Sequence, residues 1–222
     1  MIASEAHLRR RTGWYGTPRF EYLQALVKEF QASTDPKAQL QIVCNLGNFA
    51  YDPINYRAFH RLHIIDLFLD CLVEDQEALV LAALSGLANC AADRVVQQQI
   101  EEADGVDEII ACFLHEGRGP AALTSAMMCL MDLLAHPTLG IKILGNSAVK
   151  ERIRGLLGDE AGNEGGEEEE VEPEWQVMRR LATLLWEDLE FREVEGGEES
   201  DSSADSCPPG LEPPRPPQGQ PP

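Results

Sequence analysis

From about residue 20 onward, apolar positions recur with helical spacing in short blocks that glycine, proline or acidic residues interrupt. In residues 36–50, Leu40, Val43, Gly47 and Ala50 fall on one side of a helical wheel, while Gln41, Cys44, Asn45 and Asn48 fall on the other. Residues 77–91 repeat the division, with Leu81, Leu84, Ala88 and Ala91 opposite Ala82, Ser85, Gly86 and Asn89. The first set is predicted to pack and the second to line a surface. Further along, the spacing predicts a short helix over 94–103, a middle helix over 106–115 and a long helix over 120–135. Asp35-Pro36 and Asp52-Pro53 read as helix starts, each an N-cap acid followed by the residue whose missing N–H costs a first turn nothing. Gly105 is expected at a sharp turn between short and middle helices, where a missing side chain relieves crowding. His63-Ile64 stands in its place one unit earlier, which predicts a turn of different construction. Residues 20–190 are therefore expected to be α-helical without sheet.

The blocks are copies of one another. Leu46-Gly-Asn48-Phe-Ala50-Tyr-Asp52 returns as Leu87-Ala-Asn89-Cys-Ala91-Ala-Asp93, displaced by 41 residues. The displacement holds without a gap through Phe59 and Ile100, Ile65 and Val106, Phe68 and Ile109, and Cys71 and Cys112. A weaker third copy follows at 43 residues, pairing Leu84 with Met127, Leu87 with Leu130, Ile100 with Ile143 and Ile110 with Ile153. A period in the low forties made of helices is the mark of armadillo or HEAT units. The expected fold is all-α: a short, right-handed, armadillo-type solenoid whose stacked long helices form a concave surface.

Charge changes the picture at one end only. The net charge of -20 divides into 19 acids and 14 bases over residues 1–158, then 18 acids and 3 bases over residues 159–205. A body of this charge has no broad cationic face for phosphates, so direct sequence-specific nucleic-acid binding is not expected. The organisation expected is a flexible basic N-terminus over 1–18, including Arg9, Arg10 and Arg11, and an armadillo domain over 19–192. An acidic loop over 159–172 is inserted in the last unit, and an acidic, then proline-rich disordered tail covers 193–222. Pro213-Pro-Arg-Pro-Pro217 and Ser202 in that tail are weak candidates for polyproline recognition and acid-directed phosphorylation. No apolar run reaches the length of a membrane span and the first residues lack a signal-peptide stretch, so a soluble intracellular protein is expected.

Glu21-Tyr-Leu-Gln-Ala-Leu-Val, Leu46-Gly-Asn-Phe-Ala-Tyr-Asp-Pro-Ile-Asn-Tyr56 and Ile65-Asp-Leu-Phe-Leu-Asp-Cys-Leu resemble the armadillo repeat-containing protein 7 family, most densely over residues 20–93. The resemblance implies a small nuclear protein of the minor spliceosome, which removes U12-type introns, paired with a protein carrying an RNA-recognition motif. A monomer within a hetero-complex with spliceosomal proteins is the implied state. The acidic insertion and proline-rich tail depart from the family pattern.

Asn48 and Asn89 match the asparagines with which long armadillo grooves hold an extended peptide, because a carboxamide both donates and accepts. The third equivalent is Asp132, and one turn earlier stand Cys44, Ser85 and Met128 where import receptors carry tryptophan. The same asparagines could equally tie neighbouring helices. Tyr51, Asn55 and Tyr56 surround the Asp52-Pro53 helix start, and tyrosines with apolar bodies and polar tips suit an interface. Partner binding is thus assigned to Asn48, Tyr51, Asn55, Tyr56 and Asn89. The five histidines are scattered, and no phosphate-binding, nucleophile-elbow or dinucleotide motif occurs. Of the six cysteines, five lie in helical patterns as small hydrophobes. No cofactor or metal is expected, and the chain reads as an interaction scaffold, not an enzyme; the alternative is an adaptor that captures linear peptides in its groove. Trp175 and Trp186 are expected as core anchors of the last helix.

Overall fold

The computed structural model describes residues 18–158 and 173–198. The basic N-terminus, the acidic insertion, the serine and proline-rich tail with Ser202, Cys207 and the polyproline stretch, and the side chain of Trp175 lie outside the described residues. Among the described residues eleven α-helices follow in order: α1 (Arg19–Ala32), α2 (Pro36–Ala50), α3 (Tyr56–Leu62), α4 (Ile64–Leu72), α5 (Glu77–Ala88), α6 (Arg94–Glu102), α7 (Val106–Leu114), α8 (Pro120–Leu133), α9 (Pro137–Leu144), α10 (Ser147–Gly158) and α11 (Pro173–Glu198). No strand occurs among the described residues.

The start signals work as the sequence reading anticipates. The Asp35 carboxylate accepts from the Lys37 N–H at 3.1 Å with Pro36 in the first turn, and Asp93 caps α6 through the N–H groups of Val95 and Val96. Asp52 accepts from Ile54, but it opens a 3-10 turn (Pro53–Asn55) that leads into α3, not the α-helix itself. Helices α3–α5, α6–α8 and α9–α11 form three short-middle-long units, preceded by α1 and α2. The long helices stack in order, α2 on α5, α5 on α8 and α8 on α11, with α4, α7 and α10 packed beneath. The chain is an armadillo-type helical solenoid.

Repeat-related positions have matching burial, which explains why the period is visible in the sequence. Phe59, Ile100 and Ile143 are each 0% exposed, as are Val43, Leu84 and Met127 on the long helices. Each unit alone could not hide such a face; stacking makes one continuous core. Side chains also bridge the units: Lys142 pairs with Asp107 at 2.7 Å, Arg118 with Glu77, and His60 shares a hydrogen with Gln99 at 2.7 Å.

Two expectations are corrected. The turns before α4 and α7 are built alike, not differently: His63 (φ 54°) and Asp104 (φ 53°) adopt the left-handed conformation at equivalent positions. Gly105, at φ -69°, needs no backbone freedom; a side chain there would collide with Leu69 of α4. The last helix continues to Glu198, past residue 192 where the armadillo domain was expected to give way to the tail.

Candidate functional site

The α2 surface away from the core carries Gln41, Cys44, Asn48 and Tyr51, spaced three, four and three residues apart on one line and all exposed. Tyr51, at the C-terminal cap of α2, is 72% exposed. The equivalent line on α5 and beyond is Ala82, Ser85, Asn89 and Ala92, and on α8 it is Ser125, Met128, Asp132 and Ala135. Small residues dominate this face. The Ser85 and Ser125 hydroxyls meet at 3.3 Å across it. Backbones approach closely as well: a Cβ on Gly47 would lie 3.5 Å from the Cα of Gly86. Among the large side chains, Tyr51 and Met128 (42% exposed) stand out from an otherwise shallow surface.

The sequence-assigned residues separate into two groups. Asn55 is 1% exposed; its amide nitrogen donates to the Phe49 carbonyl at 2.7 Å and its oxygen accepts from Arg19 at 3.1 Å. Both of its polar ends are bonded inside the chain, which leaves it nothing to offer a partner on the α2 line. Tyr56 is half-buried, and its hydroxyl donates to the Asn89 carbonyl at 3.3 Å. Burial, reinforced by the nearby Cys90, Asp93, Asp52 and Asp132, pushes its phenol up to about 12, so the hydroxyl keeps its proton and remains a donor. Asn89 in turn donates its amide to the Gly47 carbonyl at 3.1 Å. Tyr56, Asn89 and Gly47 therefore clamp α3, α5 and α2 together. Asn48 and Tyr51 are left on the surface, and no side-chain hydrogen bond engages Asn48 among the described residues.

One unit on, Gln97 occupies the place of Tyr56 and donates to the carbonyls of Ala91 at 2.9 Å and Asp132 at 3.0 Å. Sequence reasoning missed this brace because donor and acceptor lie 35 residues apart. The repeat itself was the available signal, since Gln97 stands 41 residues after Tyr56. At Asp132 burial raises the carboxyl above the ordinary range. Trp186 is half-buried against the core with the Arg154 guanidinium 4.7 Å from its ring, consistent with an anchoring role. His63 pairs with Asp66 at 2.7 Å, and no group of three metal-ligating side chains occurs among the described residues.

The thiols correct a further expectation. Cys71, Cys90, Cys112 and Cys129 are buried, but Cys44 is exposed on the α2 line. Burial pushes Cys71 and Cys90 up to about 12 and Cys129 well above the ordinary thiol range; it also raises Cys112, against the pull of Arg118. Native protein treated with iodoacetamide at mildly alkaline pH should label Cys44 while leaving these four unmodified until denaturant is added. Peptide mapping checks this; prompt labelling of Cys90 or Cys129 would show an open core. Because the folded thiols hold protons that the unfolded chain releases, stability is intact below about pH 9 and falls as pH rises through about 12.

No protein-family model matches the chain. Over 69 residues it is 51% identical to armadillo repeat-containing protein 7 of Mus musculus, a stretch covering 31% of this chain and 35% of that protein. The chain thus spans about a third of the relative's length. Among solved structures it resembles the crystal structure of an engineered protein, with a TM-score of 0.57 and 18% identity, covering 76% of this chain and 64% of the other. That likeness concerns the fold alone.

Proposed function

We propose that this protein is a protein-binding scaffold whose partner docks on the α2 line around Asn48 and Tyr51. The observation that carries this reading is Tyr51: a large amphipathic side chain, 72% exposed, mounted at the end of a helix that the Tyr56–Asn89–Gly47 clamp holds rigid. An aromatic held this way loses little freedom on binding, which favours it as an anchor. The armadillo architecture and the partial homology to armadillo repeat-containing protein 7 support the scaffold class.

The finer assignment follows from the family resemblance: a nuclear component of the minor spliceosome that binds an RNA-recognition-motif protein and supports splicing of U12-type introns, as a monomer within a larger assembly. Groove capture of linear peptides has weaker support, because Asn89 spends its amide on Gly47 and the third position of the series is Asp132.

Tagged full-length protein recovered from nuclear extract should bring down minor-spliceosome RNAs together with an RNA-recognition-motif protein. Recovery of neither would overturn the splicing assignment while leaving the scaffold reading to stand or fall on the interface variant. Replacing Tyr51 with alanine should weaken the complex by about 1–4 kcal/mol without shifting the unfolding midpoint, because Tyr51 lies outside the core. Calorimetry that found full affinity in Tyr51→Ala would remove this residue from the interface.

A further inference from the structure

A second surface lies off the α2 line, between the start of α1, the 3-10 turn and α3. There a cavity of about 480 Å³ is lined by Arg19, Phe20, Ile54, Asn55, Arg57, Ala58 and Arg61. Its three guanidiniums form no ion pair with a carboxylate among the described residues. Arg61 lies 4.6 Å from the centre of the Phe20 ring, and Arg19 lies 5.2 Å from that of Phe49 while donating to the Asn55 oxygen. These contacts hold two of the cations in place and leave their charge unneutralised. Arg57 is exposed beside them, four residues from Arg61 on the same face of α3. Of the neighbouring acids, Asp52 turns its carboxylate to the Ile54 N–H, and Glu21, two residues after Arg19, forms no ion pair with these cations among the described residues.

Three unneutralised guanidiniums around an apolar floor are unusual in so acidic a molecule. Residues 1–63 carry eight bases against five acids, whereas residues 64–222 carry ten bases against 33 acids. Over the described residues 18–63 the balance is five bases to four acids, so the acidic excess of the chain belongs to other residues than those around this cleft. Like charges held together without counter-ions repel one another, and an anion placed among them relieves that repulsion and gains charge-assisted, bidentate hydrogen bonds.

We propose that this cleft binds an acidic peptide segment of a partner protein, its carboxylates held by Arg19, Arg57 and Arg61 and one apolar side chain set on Phe20, Ile54 and Ala58. A peptide fits better than a nucleic acid because the cavity admits only a few side chains. The 33 acids of the remaining chain would also repel a polyanion that ran beyond the three cations. This surface is separate from the Tyr51 line, so the outcome here leaves the reading of that line untouched.

The test is fluorescence anisotropy with full-length protein and a labelled hexapeptide of five glutamates and one leucine at low ionic strength. Saturable binding is expected, weakening severalfold when salt is raised from 50 to 200 mM. Arg57→Gln with Arg61→Gln should weaken it at least tenfold, while Arg57→Lys with Arg61→Lys should keep most of it. Arg57 makes no side-chain hydrogen bond or ion pair among the described residues and Arg61 stacks on the half-buried Phe20 ring, which its replacement leaves in place, so an unchanged thermal midpoint is expected of both pairs. No binding by the wild type, undiminished binding by the double glutamine variant, or tighter binding of a twelve-nucleotide oligouridylate than of the peptide would each overturn the proposal.

Discussion

Truncating Phe68 to alanine should destabilise the protein by about 3–5 kcal/mol, read as a lower midpoint of denaturant unfolding with an unchanged slope. Phe68 is 0% exposed and meets Phe59 edge to face, with ring centroids 6.3 Å apart and planes at 68°. Its far edge fills the space that Gly86 leaves open on α5, where a Cβ would stand 2.7 Å from the ring's Cζ. The ring joins a middle helix to a long one, and removing it leaves a void that helices braced on both sides cannot close. The reverse substitution, Gly86→Ala, pushes against a rigid buried ring and should cost about 1–3 kcal/mol. Combined, the two changes should cost less than their sum, because the new methyl occupies part of the space the ring vacates. Strict additivity in this cycle would mean that the ring and the glycine are not in contact in solution.

Leu84→Ala should cost about 2–5 kcal/mol, which is comparable with much of a domain's margin of about 5–15. Leu84 is 0% exposed on α5, the long helix that packs between α2 and α8. Position matters as much as burial in a solenoid, where each unit contacts only its neighbours. Weakening the middle uncouples the two ends, so Leu84→Ala is expected to broaden the unfolding transition as well as lower it. Leu189, 1% exposed on the terminal helix, is the control. Its truncation should fray the last unit and leave protection of α2 and α5 against hydrogen exchange nearly intact. Equal loss of α2 protection in both variants would show that the stack unfolds as one block.

The fold was legible because its units are built from the same buried positions. Phe59, Ile100 and Ile143 announce the period, and the proline and aspartate helix starts fix where each unit begins. What the sequence left hidden is of two kinds. Backbone conformation is one: nothing in the letters His63 and Asp104 shows that both residues turn left-handed, while Gly105, which stands in the expected turn, keeps an ordinary φ. Its role is steric and depends on Leu69, more than thirty residues away, as Gly86 depends on Phe68. The other is competition for polar groups. Asn55, Tyr56 and Asn89 have the chemistry of an interface, but whether an amide is free or spent depends on which carbonyl lies next to it in the stack. The helical wheel placed Asn48 and Asn89 alike; only Asn89 has Gly47 within reach. Cys44 departed from the other helical thiols for a similar reason, since it lies on the outer line of the first long helix.

The braces from short helix to long helix have a direction. Tyr56 and Gln97 supply the donors through their side chains, and each is received by a main-chain carbonyl, that of Asn89 or Asp132. Every amino acid carries that acceptor, so the bond to Asp132 survives a change of its side chain, whereas at Asn89 the side chain also holds the Gly47 carbonyl. The donor position has no such latitude, because its side chain must be long enough to cross to the next long helix and must end in a proton. Mutational tolerance along this solenoid should therefore be lopsided. Exchange is cheap at 132, where only the main-chain carbonyl takes part, and restricted at 56 and 97, which supply the donors, and at 89, whose amide is spent on Gly47.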